Sequence, residues 1–186
     1  YSDEDMLPEN TAPSSINVGF VGVGGGGNKM ANAMIELGFN KTLLVNSTGK
    51  DIPKNVEEEH VVLIPDSDGI GKNISYGKEV LTQNGAVVED ALRIKFGKVN
   101  WLFVMAGGGG GTGSSVVALQ PVFERYLQSV QASGKVVYIV SWPTAQENLN
   151  PTIARNALSL ANDVTPYPHI ILDNERATRL LRGRIG

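Results

Sequence analysis

The chain has 186 residues, 41% of them apolar and 19% charged, with a formal net charge of −3 and no cysteine. That length suits one domain with a core of its own; the missing cysteines exclude disulfides, thiol nucleophiles and cysteine-ligated metals, and no apolar run approaches the roughly 18 residues a bilayer span needs. Scattered basic residues on a slightly acidic chain give no reason to expect direct nucleic acid binding, and the cytoplasm is the expected compartment.

The opening stretch YSDEDMLPENTAPSS, residues 1–15, is acidic and polar without the basic and apolar regions of a signal peptide, and reads as a flexible arm before a domain at 16–186. INVGFVGV at 16–23 reads as a buried strand, and GGGGN at 24–28 as a glycine loop that leads into a helix. Met30, Met34 and Leu37 share one face of that helix and Gly38 is its stop. KTLLVN at 41–46 and VVLI at 61–64 are the next strands, and DSDGIGKN at 66–73 is a polar loop. Helical spacing over 74–96 is interrupted at Asn84 and Gly85. WLFVMA at 101–106 reads as a strand that enters GGGGGTGSS at 107–115, followed by helix-like spacing over 114–132. VVYIVSW at 136–142, a helical stretch at 151–163 and HIILD at 169–173 complete the pattern. His60 and His169 belong to no metal or triad motif and read as ordinary surface or strand-edge histidines.

Short apolar strands alternating with helices imply right-handed crossovers and a doubly wound α/β fold on a parallel sheet. Ligands of such sheets bind beyond the carboxyl ends of the strands, and each glycine-rich loop here follows such an end. Five consecutive glycines at 107–111 could serve a linker, but their flanks are a strand and a helix. A strand, glycine loop and helix start gather backbone N–H groups on one point, which suits an anion and above all phosphate.

Gly22-x-Gly24-x-x-Gly27 matches the dinucleotide fingerprint, but the second strand ends in Asn46 where that reading requires an acid for the ribose. Gly108 and Gly113 have the separation of a Walker loop, but Ser114 stands where its lysine belongs. Phosphates must then be held mainly by backbone. Four or five amides supply about 6–15 kcal/mol gross before ordering costs, against about 8 kcal/mol net for micromolar binding.

GGGTGSS at 109–115 resembles the tubulin signature loop, and GVGGGGNKMANAMI at 22–35 resembles the first nucleotide loop of FtsZ. VNSTGKDI at 45–52, IPDSDGIGKNISYGKEVL at 64–81 and IILDN at 170–174 follow in the family's order, so the likeness covers nearly everything from Ile16 onward. The chain is thereby identified as similar to the tubulin/FtsZ superfamily. The third loop's spacing and the phrases NSTGKD and ILDN look closer to the plasmid and phage segregation tubulins, TubZ, than to the division protein.

This resemblance implies GTP and GDP as ligands, with Mg²⁺ held by their phosphates. Gly24, Gly25, Gly26 and Gly27 would wrap the phosphates together with Gly109, Gly110, Gly111 and Gly113, while Thr112 and Ser114 add hydroxyl donors. Gly110, Gly111 and Gly113 would approach phosphate too closely to tolerate a Cβ. Gly69 and Gly71 would bring the third loop to the γ-phosphate, and Asn46 opens the second loop. Asn28 would lie near the sugar, Glu147 would grip the ribose and Asn174 would read guanine. The plainer readings are a solvated loop acid for Glu147 and a helix cap for Asn174. Two positions depart from the division protein: Thr48 replaces an aspartate, and Pro151 replaces an arginine four residues after Glu147.

The sequence ends at Gly186, ahead of the family's central helix, acidic catalytic loop and second domain. The resemblance therefore implies no catalytic residue in this chain and near inactivity alone, with hydrolysis completed in trans by the next subunit of a head-to-tail filament. Self-association is the expected partnership, with a DNA-bound adaptor as the further partner and no membrane. The role implied is DNA segregation or positioning. The alternatives are an FtsZ-type division GTPase, an NAD(P)-binding oxidoreductase on a Rossmann sheet, and a nucleotide-binding module that does not polymerise.

Overall fold

Residue by residue, the apolar runs become strands of one sheet. The computed structural model describes residues 17–65 and 70–173; the expected arm at 1–15, Gly69 and Asn174 lie outside them. Strands β1 (Val18–Val23), β2 (Thr42–Asn46), β3 (Val61–Leu63), β4 (Trp101–Gly107), β5 (Val136–Trp142) and β6 (His169–Asp173) pair in the order β3-β2-β1-β4-β5-β6. Every pairing is parallel. The doubly wound α/β expectation therefore holds. Because β1 connects outward to β2 while its other neighbour is β4, the order reverses between β1 and β4, and a crevice opens at their carboxyl ends.

Alternation along β1 divides the core between two faces. Val21 and Val23 point into the larger layer, whose buried residues include Leu81, Leu92, Leu119, Phe123 and Leu160. Phe20 points the other way and packs with Ala31, Leu44 and Met105. Helices α2 (Ile74–Gln83), α3 (Gly85–Phe96), α5 (Gln120–Ser129) and α6 (Pro151–Val164) contribute to the first layer, and α1 (Gly24–Glu36) covers the second. Asn84 breaks the 74–96 stretch as expected, ending α2 and preceding α3. Gly85 allows the second of these to approach α5, since a Cβ there would lie 2.9 Å from Val122 Cγ2. Gly38 follows α1 at φ +98°, as a stop should. Among the described residues no helix is long and apolar enough to cross a membrane.

Three local expectations change. The glycines at 24–27 are not a loop before the helix but its first turn, because α1 begins at Gly24. The stretch at 114–132 is not continuous: α4 (Gly111–Ser114), a 3₁₀ turn at Val116–Leu119 and α5 succeed one another. Pro121, lacking an N–H, is placed at the start of α5 where that loss is harmless. His60 is a strand-edge histidine but not a surface one; it is buried, with Nδ1 2.8 Å from Thr42 O.

What seats α1 is direct backbone contact. A Cβ on Gly27 would stand 2.2 Å from Met105 O, and one on Gly22 would stand 2.3 Å from Gly27 O. Any side chain at either position would force the helix off β1 and β4. Gly27→Ala is accordingly expected to cost roughly 1–3 kcal/mol in a urea titration, whereas Gly49→Ala, with nothing within 4 Å of its Cβ, should stay within about 0.5 kcal/mol.

Candidate nucleotide site

At the crevice between β1 and β4 the two glycine-rich segments meet without side chains between them. A Cβ on Gly24 would stand 2.7 Å from Gly113 N, and one on Gly26 would stand 3.0 Å from Gly107 Cα. Gly24 holds φ at +76°, which an L side chain rarely adopts. Around this contact lies a cavity of about 710 Å³. Its wall carries Gly24, Gly25 and Gly26 from the first turn of α1, Gly110, Gly111, Thr112 and Gly113 from the second glycine segment, Asn46 from the end of β2, and Gly71 and Glu147 from two further connections.

The first turn of α1 has no side-chain cap, so its leading N–H groups stand open at the cavity. In the second glycine segment some amides are already used. Gly108 N donates to Ser141 O at 2.9 Å, Gly109 N to Ser114 Oγ at 3.1 Å, and Gly111 N to Gly71 O at 2.8 Å. Among the described residues the amides of Gly110, Thr112 and Gly113 make no such bond. Donors without acceptors, at two helix starts facing one cavity, are suited to an anion.

Polar side chains behind the wall fix the loops to one another. Asn28 is fully buried; its Nδ2 donates to Gly22 O at 3.0 Å and to Val45 O at 3.2 Å, and its Oδ1 accepts from Asn46 Nδ2 at 2.8 Å. Asn46 Oδ1 in turn accepts from Ser47 N at 2.8 Å. Ser47 Oγ lies 3.0 Å from Thr112 Oγ1 and accepts from Ile70 N at 3.3 Å, so one hydroxyl ties the second loop to the third and to the second glycine segment. Asn156 on α6 donates to Lys72 O at 2.9 Å and to Gly109 O at 2.8 Å. Sequence reasoning missed Asn156, although an asparagine on the buried face shared by Ala157 and Leu160 is the available signal.

The expected residues thus divide. Gly24, Gly25, Gly26, Asn46, Gly71, Gly110, Gly111, Thr112, Gly113 and Glu147 come together on the wall. Gly27, Asn28, Gly109 and Ser114 do not line it; they lie behind it, in helix seating or loop bracing. Asn28 spends its side-chain amide on buried hydrogen bonds to Gly22 O, Val45 O and Asn46. Glu147 is exposed at one end, its Oε1 accepting from Thr144 N at 3.1 Å and Thr144 Oγ1 at 3.0 Å. Lys29 and Lys50, which the sequence reading passed over, also line the cavity.

The reason for the glycines divides as well. A Cβ on Gly111 would meet Gly71 O at 2.7 Å and one on Gly113 would meet Gly107 O at 2.8 Å, so the protein itself excludes side chains there. Gly110 has nothing within 4 Å and an ordinary extended backbone, φ −77° and ψ 159°.

No family model matches the chain. It is 31% identical over 163 residues to cell division protein FtsZ 2 of Haloferax volcanii, an alignment covering 84% of this chain and 38% of that protein. CetZ from Methanosaeta thermophila shares the fold with a TM-score of 0.75 at 24% identity, over 90% of this chain and 48% of that one. A GTPγS-form protofilament of TubZ from Bacillus thuringiensis serovar israelensis shares it with a TM-score of 0.71 at 22% identity, over 100% of this chain and 56% of that one. The chain thus spans 38% of the curated relative and about half of the solved structures.

Gly110 separates ligand from packing. Gly110→Val should leave the denaturation midpoint of the unliganded protein within about 0.5 kcal/mol of the parent while weakening GTP binding at least about tenfold, or about 1.4 kcal/mol. Gly111→Val should lower stability with no nucleotide present.

Proposed function

The chain belongs to the tubulin/FtsZ superfamily, and from that premise we propose that it is the guanine-nucleotide-binding part of a GTPase that assembles head to tail into filaments. The observation that carries the reading is the meeting of two glycine segments, with unpaired amides, on one cavity at the switch point of the sheet. Four or five charge-assisted bonds from such amides supply about 6–15 kcal/mol gross, enough for a phosphate site without a Walker lysine. Glu147 lies at the end assigned to the ribose. Asn174, just past β6, is assigned to the base.

The oxidoreductase alternative shares this strand order but needs an acid at the end of β2. The residue there is Asn46, its amide already bonded to Asn28 and to Ser47 N. Nothing is left at that position to grip a ribose diol as a carboxylate does.

Mg²⁺ fits the site as a nucleotide-borne ion. Among the described residues no group of three or more His, Cys, Asp or Glu side chains is placed to hold a metal, and Asp51 and Thr48 are the oxygen-bearing side chains beside Lys50. Mg²⁺ commonly keeps several waters and takes one or two carboxylates plus substrate phosphates. Bound there, it would neutralise phosphate charge. Thr48 and Asp51 are the groups of this chain that would face it.

In this reading the next subunit completes hydrolysis by bringing a carboxylate to the γ-phosphate end. Heterologous contacts of that kind do not close, and give filaments. The segregation role rests on the spacing of the third loop and on the NSTGKD and ILDN phrases. The FtsZ 2 similarity supports a second reading, a division-type role.

Calorimetric titration tests the ligand. GTP and GDP should bind with micromolar or better affinity, ATP at least about tenfold more weakly, and NADH not at all. Phosphate release by the intact protein should rise faster than linearly with its concentration. Equal affinity for ATP and GTP would remove the base-reading role, and strictly first-order release would remove the contribution of the next subunit.

A further inference from the structure

The cavity lacks a Walker lysine, yet two ammonium groups reach its wall from elsewhere. Lys29 stands beyond the first turn of α1, and Lys50 lies in the 3₁₀ turn Gly49–Asp51 that follows β2. Thr48 holds that turn, its Oγ1 accepting from Lys50 N at 3.3 Å. Among the described residues neither lysine forms an ion pair.

Their place along the cavity follows from the glycines of α1. A Cβ on Gly26 would stand 3.6 Å from Ser141 Oγ, on the side of Glu147, whereas one on Gly25 would stand 3.7 Å from Asp51 Oδ2. Ser141 and Asp51 therefore flank the helix start from opposite sides. With the ribose at Glu147, the far end of the phosphate chain comes to Lys50. Beyond it lies a second cavity of about 700 Å³, which shares Gly25, Gly26, Lys29, Lys50, Asp51 and Gly110 with the first and continues to Lys54. Three ammonium groups there face one carboxylate, Asp51. Thr48 further removes the negative charge of the aspartate expected from the division protein.

We propose that Lys50, assisted by Lys29, reads the charge of the terminal phosphate and makes the site prefer the triphosphate to the diphosphate. This rests on the guanine-nucleotide reading and adds to it a residue that sets specificity. The terminal phosphate brings extra negative charge close to Lys50, while the diphosphate leaves that end vacant. Both lysines are exposed, so water screens them and each contributes a modest factor rather than an anchor. Lys54 borders only the second cavity and should feel the ligand weakly.

The test is calorimetric titration of GTPγS and GDP into the intact protein, below its assembly concentration, at low and high salt. The parent should prefer GTPγS, and less so as salt rises. Lys50→Met should weaken GTPγS about five- to tenfold and GDP less than about twofold. Lys29→Met should act in the same direction with a smaller factor, and Lys50→Arg should keep the preference. Equal losses for the two nucleotides, or an unchanged ratio in Lys50→Met, would overturn the proposal. So would a ratio that moves as far in Lys54→Met as in Lys50→Met. Failure of the parent to bind either guanine nucleotide would overturn instead the reading on which the proposal rests.

Discussion

Everything at this site depends on backbone meeting backbone where the chain leaves the carboxyl ends of β1 and β4. Gly22, Gly27 and Met105 bring α1 onto the sheet at a separation no side chain permits, and Gly24 meets Gly113 in the same way. The two contacts bring both helix starts to one cavity, so their open N–H groups converge. Amides held by a packed sheet need little reordering to receive an anion, which is how a neutral loop can do the work of a charged one. Because the geometry comes from the close approach itself, glycine is required first by the scaffold and only then by a ligand. Gly110, open to the cavity, is where the ligand alone has a claim.

Around that contact the loops are coupled by buried amides and hydroxyls. Ser47 touches Thr112 and Ile70, Gly111 donates to Gly71, and Asn156 holds Lys72 and Gly109 together. Each link joins residues distant in sequence. A shift of Thr112 toward a phosphate would be felt at Ser47, and through it at Ile70 in the third loop. In the core below, burial pushes the Tyr126 phenol up to about 12 and that of Tyr138 above the ordinary range, so both remain neutral donors, to Gly97 O and Gln120 Oε1.

Much of the fold was legible because a parallel sheet covered on both faces leaves a strong trace. VGFVGV, TLLVN, WLFVMAG and VVYIVSW are apolar runs bounded by polar or glycine punctuation, and the structure makes each a strand. The flanks of the second glycine segment identified a shaped loop for the same reason. The start of α1 was not legible: glycine has poor helix propensity, so GGGG reads as a loop, and only contact with Met105 O explains why the helix begins there. Asn28 and Ser114 belonged to a recognisable motif, but a motif does not say which of its polar groups turn inward. Lys29 and Lys50 went unseen because a lone lysine in a loop or on a helix looks solvated until its neighbours are placed.

A crystal structure of the intact protein with GTPγS tests the backbone-held phosphate site most directly. Phosphate oxygens should lie about 2.7–3.2 Å from the amide nitrogens of Gly110, Thr112 and Gly113 and of the first turn of α1, with guanine beyond Glu147. A nucleotide whose phosphates stood more than about 4 Å from those amides, held by lysine side chains alone or seated elsewhere on the sheet, would contradict the account.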